Sequence, residues 1–258
     1  MKRRQLLQYA GTGLFTTLGL GALSAWQGAQ AQTTGVTVRW LGHTCFLFTG
    51  DGRKILVNPF RRIGCTAGYR PPNVQADLVM ISSRLFDEGY LQDVPGDPRV
   101  LAEPGTYGFT NMQVQGIPVS HDRQGGRRFG TNIIWKWNQG GLNLVHMGGA
   151  AAPIDVEEQI LLGRPDVLMV PVGGGPKAYS AEEAVRAVQT LRPKMVIPTQ
   201  YRTQAADAES CDITALDDFL QLMQGTPIAR ANGDTVALQP ASLPTEGMRI
   251  QVMNYSFG

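Results

Sequence analysis

The stretch Ala76-Asp77-Leu78-Val79-Met80-Ile81-Ser82-Ser83-Arg84-Leu85-Phe86-Asp87-Glu88-Gly89 changes character in its middle. Leu78 to Ile81 is an unbroken apolar run, the pattern of a short strand buried on both faces. From Ser82 onward the polarity rises abruptly, and the chain enters a loop or short helix at the strand's C-terminal end. In layered α/β folds, ligand-binding side chains gather at that end. The stretch therefore sets both a buried strand and the place to look for chemistry.

Upstream, Val36–Arg39, Thr44–Phe48 and Lys54–Val57 read as antiparallel strands, the last two joined across Gly50-Asp51-Gly52. Downstream, Arg99–Ala102 and Met112–Val119 follow with Pro/Gly punctuation between them. Thr131–Trp137 and Leu142–His146 form a further hairpin through Asn138-Gln139-Gly140-Gly141. The second half alternates differently. Val156–Leu162 reads as a short helix and Asp166–Val172 as a buried strand. Ser180-Ala181-Glu182-Glu183 is a capping box opening a helix to about Leu191, with Ala184, Val185, Val188 and Leu191 on one face. Met195–Pro198 is the next strand. Leu216, Phe219, Leu220 and Met223 mark one more helix, and short strands near Ile228, Val236 and Arg249–Met253 complete the chain. Strands first, then strand–helix–strand alternation, predicts an α/β layered fold of two sheets face to face with helices outside.

Several motifs sit at the ends of these strands: Trp40-Leu41-Gly42-His43, Ile55-Leu56-Val57-Asn58-Pro59-Phe60, His121-Asp122, His146-Met147-Gly148-Gly149, Pro171-Val172-Gly173-Gly174 and Ile197-Pro198-Thr199-Gln200-Tyr201. Together with Ser82–Glu88 they make the chain similar to the metallo-β-lactamase-fold hydrolases, in particular the small branch resembling the ascorbate-phosphate lactonase. The resemblance covers nearly all of residues 32–258 and implies a single αββα four-layer sandwich.

It also implies a ligand set that this sequence departs from. The family places Ser/Thr-His-x-His-x-Asp-His after the buried strand; here those histidine positions fall on Ser83, Leu85 and Glu88, and Asp87 matches. The later histidine is His121. The bridging aspartate position is Gly149, the final histidine position is Gln200, and the supporting carboxylate before proline is Asn58. Two zinc ions need converging imidazoles and carboxylates with open positions for water. Asp87 and His121 are the only retained ligand positions, so two-zinc chemistry is expected to be lost.

Other metal chemistry stays open. Asp87, Glu88 and Gln200 could hold a hard cation, or the two carboxylates could be loop groups bonded to backbone or Arg84. His43, His121 and His146 are the chain's three histidines. They could hold one zinc ion, or His43 and His146 could simply bond backbone at strand ends. His121-Asp122 admits a metal-free acid–base role, with Ser82, Ser83 and Ser120 as candidate nucleophiles, none of them in a Gly-x-Ser-x-Gly elbow. Gly173-Gly174-Gly175-Pro176-Lys177 could present backbone N–H groups to an anion or be a turn at the rim. Arg61, Arg62, Arg84, Arg127 and Arg128 make that rim basic or are solvated surface charges.

Lys2-Arg3-Arg4-Gln5-Leu6-Leu7, a weakly hydrophobic stretch and Ala29-Gln30-Ala31 read as a twin-arginine export signal over residues 1–31, cleaved after Ala31. An uncleaved anchor is the competing reading, and the only expected membrane contact. Cleavage removes three basic residues and no acidic one, taking the formal charge from +2 to −1. Such a balance gives no electrostatic case for nucleic acid. The expected address is the periplasm or a thylakoid lumen, where Cys45, Cys65 and Cys211 allow one disulfide with one thiol left over.

The functional expectation is an exported, non-catalytic binding or accessory protein. It would use the former cleft (His43, Asn58, Ser83, Asp87, Glu88, His121, His146 and Gln200) for a small anionic ligand or a protein partner. The alternative is a hydrolase of altered mechanism acting on a small anionic ester, lactone or phosphoester. It would be metal-free or carry one metal on His43, His121 and His146.

Overall fold

A computed structural model describes residues 34–257; the export signal and its cleavage site lie outside them. The first sheet begins with β1 (Val36–Gly42), β2 (Cys45–Gly50) and β3 (Arg53–Val57) and continues through β4 (Leu78–Met80) and β5 (Arg99–Leu101). The second contains β6 (Gly105–Phe109), β7 (Met112–Ser120), β8 (Thr131–Gln139) and β9 (Leu142–His146). After helix α1 (Val156–Leu162) come β10 (Val167–Pro171), α2 (Ala181–Leu191) and β11 (Met195–Thr199). Helix α3 (Asp217–Leu222) precedes β12 (Ile228–Arg230), β13 (Thr235–Leu238) and β14 (Arg249–Val252). The strand orders are β13-β1-β2-β3-β4-β5 and β12-β14-β11-β10-β9-β8-β7-β6.

The apolar run of the opening stretch forms β4. It is wholly buried and pairs in parallel with both β3 and β5, which explains why it carries no polar alternation. β1, nearer the edge, does alternate: Val36, Val38 and Trp40 are buried while Thr37 and Arg39 are exposed. The two hairpins form where the glycines allow. Asp51 and Gly52 both have positive φ between β2 and β3, as do Gly140 and Gly141 between β8 and β9, the backbone that a twisted two-residue turn needs. Ser180 caps α2 by accepting from Glu183 N–H, and Glu183 reaches back to Ser180 N–H. The buried face of α2 is Ala181, Ala184, Ala187, Val188 and Leu191, with Val185 at its margin.

The α/β layered fold is as expected, with one physical difference. Among the described residues, the three α-helices all lie in connections of the second sheet. Among the described residues the first sheet's connections hold only a 3-10 turn at Gly64–Thr66, and loop residues Val74, Ala76, Leu91 and Val94 pack against the core. Between the sheets, Trp40 stacks among Phe46, Tyr69, Tyr201 and Tyr255. No helix among the described residues is long and apolar enough to cross a membrane.

Strand direction places the site. β1, β3 and β4 in one sheet and β7, β9, β10 and β11 in the other all deliver their C-terminal ends to the same end of the sandwich. Cys65 and Cys211 form a disulfide, Cα atoms 4.6 Å apart, between the β3–β4 loop and the loop after β11. Cys45 is the buried free thiol.

Candidate active site

Every motif end named from the sequence arrives at this pole, and each is accounted for by a strand terminus. His43 follows β1, Asn58 follows β3, the Ser82–Glu88 loop follows β4 and His121 follows β7. His146 ends β9, Gly149 follows it, and Gln200 follows β11. The pole also receives Lys177, from the glycine-rich loop after β10.

The contacts sort these residues into two small groups. In the first, Lys177 Nζ makes a close ion pair with Asp87 Oδ2, and His43 Nε2 lies 3.7 Å from the same oxygen. Burial alone would raise the Asp87 pKa, but the approach of His43 and the Lys177 charge hold it well below the usual carboxylate range. In the second group, Ser83 Oγ donates to Glu88 Oε2 at 2.7 Å, and His121 Nε2 stands 3.5 Å from that oxygen. Glu88 and His121 are both fully buried. Burial, then the neighbouring Asp87 charge, raise Glu88 to about 7. Burial, then Lys177, lower His121 to about 4.

The remaining candidates have other duties. His146 donates from Nε2 to Thr44 O at 2.9 Å and accepts at Nδ1 from Gly148 N–H at 3.1 Å. Both nitrogens are committed, so His43, His121 and His146 do not meet on one ion. Asp122 does not face His121. It accepts from the N–H groups of Gln124, Gly126, Arg128 and Phe129, which hold its carboxyl down at about 2; the acid–base pair read from adjacency is corrected accordingly. Asn58 Oδ1 accepts from Ser82 N–H at 2.8 Å and shapes the start of the site loop. Arg84 pairs with Glu103 rather than with Asp87 or Glu88, and Arg61 lies over the rings of Phe86 and Tyr90.

Two contributors were not singled out by sequence reasoning. Asn132 accepts from Gly149 N–H and donates to Met147 O, both at 2.9 Å, fixing the turn after β9; a polar residue beside the apolar run of β8 was its only signal. Lys177 closes the glycine-rich stretch that the sequence offers as an anion-binding or rim loop, and its partner Asp87 lies 90 residues away.

The chain belongs to the beta-lactamase superfamily: that domain's family profile matches residues 37–200. A UPF0173 metal-dependent hydrolase from Thermococcus onnurineus is 28% identical over 67% of this chain and 89% of its own length. One from Methanoregula boonei is 30% identical over 66% of this chain and 85% of its own. A solved Thermotoga maritima structure, assigned to the Zn-dependent hydrolases of the metallo-β-lactamase superfamily, is 27% identical. It covers 86% of this chain and 100% of its own, with a TM-score of 0.67. These names overturn the expectation of a non-catalytic binding protein and favour the hydrolase alternative.

A resident metal does not fit the residues present. Among the described residues no three His, Cys, Asp or Glu side chains are arranged to hold a metal ion. Lys177 engages Asp87, Ser83 engages Glu88, and Gln200 offers only an amide oxygen. A Cβ at Gly149, where the bridging aspartate would stand, would lie 2.4 Å from His121 Nε2 and 2.7 Å from Glu88 Oε1.

The buried groups predict an acid-sensitive fold. His121 and His146 both sit at about 4, His146 through burial alone in the first place. A depressed histidine gives stability that is complete above its unfolded value near 6.5 and lost as pH falls to 4, about 3 kcal/mol for each. Glu88, raised by burial, works oppositely, its stability lost as pH rises through about 7. Urea titrations from pH 7 to pH 4 should therefore show a net fall of about 3 kcal/mol. Glu88→Gln should steepen that fall, and His121→Asn should shrink it; a flat profile would contradict the assignment.

Proposed function

We propose that this protein is a metal-independent hydrolase of small esters or lactones, with Ser83 as nucleophile and Glu88 as its general base. The observation that carries the reading is the 2.7 Å hydrogen bond from Ser83 Oγ to a carboxylate that is itself buried and held near neutrality. A base poised near the working pH is what proton transfer from a hydroxyl requires. Ser83 also lines a cavity of about 500 Å³ with Ser82, Leu85, Phe129, Thr131 and Ile133, a volume suited to a small substrate.

In this reading Glu88 Oε2 takes the Ser83 proton as Oγ attacks the carbonyl carbon. The leaving alkoxide then recovers that proton from Glu88, and an acyl-Ser83 ester remains. Water attacks it with Glu88 again accepting the proton, and the acid departs as Ser83 is reprotonated. His121 Nε2, 3.5 Å from Glu88 Oε2, faces the carboxylate and would take up a hydrogen bond with it as the charge develops.

The test is a panel of activated esters and lactones with chelator present throughout. Ser83→Ala should lower kcat/KM by about 10³-fold or more in a protein that stays folded and cooperative, its melting temperature lowered only by the few degrees that the lost Glu88 hydrogen bond is worth. A serine-reactive organophosphonate should add its mass to the peptide containing Ser83. Full activity in Ser83→Ala, or activity abolished by chelator, would sink the reading. The twin-arginine address also stands as a proposal, supported by the Cys65–Cys211 bond, which suits an oxidising compartment.

A further inference from the structure

The sandwich keeps the pole at which its relatives, by name, use a metal, yet Lys177 engages Asp87 and Ser83 engages Glu88 there, while His43 Nε2, Glu88 Oε1, both nitrogens of His121 and Gln200 Oε1 are buried without a hydrogen-bond partner. We infer that the ammonium of Lys177 is this pole's resident cation, doing through a tethered amine the charge-balancing work of a bound metal. Four observations bear on it. Lys177 Nζ is in close contact with Asp87 Oδ2, the carboxylate at a retained family ligand position. The lysine side chain is largely buried, 21% exposed, and its partner 15%, so this is not a freely solvated surface pair. The loop that carries it turns through Gly174 and Gly175, both at positive φ (+74° and +76°), a backbone that L residues rarely adopt and one that lets Lys177 reach back over the pole. Its own carbonyl closes on the Gly149 turn, 3.0 Å from where a Cβ there would stand.

The electrostatic logic is simple. Asp87 and Glu88 are adjacent carboxylates, and a second negative charge beside an ionised Asp87 is costly unless a cation is near. In metal-bound relatives the ion can supply that charge. Here it comes from the chain itself, and a lysine ammonium is a compact point charge on a flexible stem, suited to the task. Being covalent, it cannot be chelated away. The inference concerns charge balance in the folded protein and stands whether or not Ser83 is the nucleophile.

Thermal unfolding of the purified full chain tests it without any activity measurement. Lys177→Met should lower the melting temperature by on the order of 10 °C, since it strands Asp87 without its partner. Lys177→Arg, which keeps the charge, should recover most of that loss. Lys177→Met combined with Asp87→Asn, which removes both charges, should melt within about 3 °C of the wild type. If Lys177→Met fails to fold, the double variant still decides, because it should be soluble and cooperative. Exhaustive chelation should leave the wild-type melting temperature unmoved. The inference is overturned if Lys177→Met melts like the wild type, if the double variant is no better than the single one, or if wild-type protein carries metal whose removal destabilises it.

Discussion

Breaking the Cys65–Cys211 bond should lower the melting temperature by on the order of 10 °C. The bond spans 146 residues of sequence, and closing so long a loop in the unfolded chain removes entropy equivalent to about 5 kcal/mol in the chain-entropy account. It ties the β3–β4 loop of one sheet to the loop after β11 of the other. Neighbouring contacts run along the same seam: Gly68 N–H to Ala205 O, Asp207 N–H to Gly64 O, and the Tyr69 hydroxyl to Thr203 Oγ1. Losing the bond therefore frees a patch that already depends on a few hydrogen bonds. Thermal scans with and without reductant, and of Cys65→Ser, give the size of the effect. Thiol counting after denaturation should find one thiol before reduction, Cys45, and three after. Three thiols in unreduced native material would refute the pairing.

The second large effect is expected from Gly149→Asp, which restores the carboxylate that the family places at this turn. It should destabilise by about 4 kcal/mol or more and should not restore a metal centre. Even the first added carbon would stand 2.4 Å from His121 Nε2, 2.7 Å from Glu88 Oε1 and 3.0 Å from Lys177 O. The added charge would then face Asp87 and Glu88, with Lys177 already engaged. Gly149→Ala separates the steric part from the electrostatic part and should cost about 1–3 kcal/mol. Urea unfolding and the zinc content of the soluble fraction measure both. A stable Gly149→Asp protein holding stoichiometric zinc would show that the pole has room for a metal ion after all.

Much of the scaffold was legible because its determinants are local. The apolar run Leu78–Ile81, the Ser180–Glu183 box and the two glycine turns each specify their element within a few residues. β6 has a weaker signal: Gly105–Phe109 is an edge strand with two glycines and no fully buried residue, and its alternation is limited to Tyr107 and Phe109, too short a run to separate from a loop. The layered α/β sandwich expected from the resemblance is the fold found, and the connections within the first sheet are made of loops and a 3-10 turn.

The site was legible as a place but not as a set of pairings. Strand ends brought His43, Asn58, Ser83, Asp87, Glu88, His121, His146 and Gln200 to one pole. Which of them touch depends on contacts between distant segments. Asp87 finds Lys177 and not Arg84, and Glu88 finds Ser83. Asp122, beside His121 in sequence, turns to four backbone N–H groups. Adjacency in the chain says little about which way two consecutive side chains point. The functional error had the same source: subtracting missing zinc ligands says nothing of the Ser83–Glu88 pair that stands in their place.

His146 has a mechanical meaning beyond its lost chance as a ligand. It belongs to β9, and its Nε2–H reaches Thr44 O on the turn between β1 and β2, so one neutral imidazole bridges the two halves of the sandwich. Glu88 and Asp87 arrive from one half, His121 and Lys177 from the other. The ring works as a strut of set length, and the gap across which those four groups meet is gauged by a residue that touches none of the chemistry.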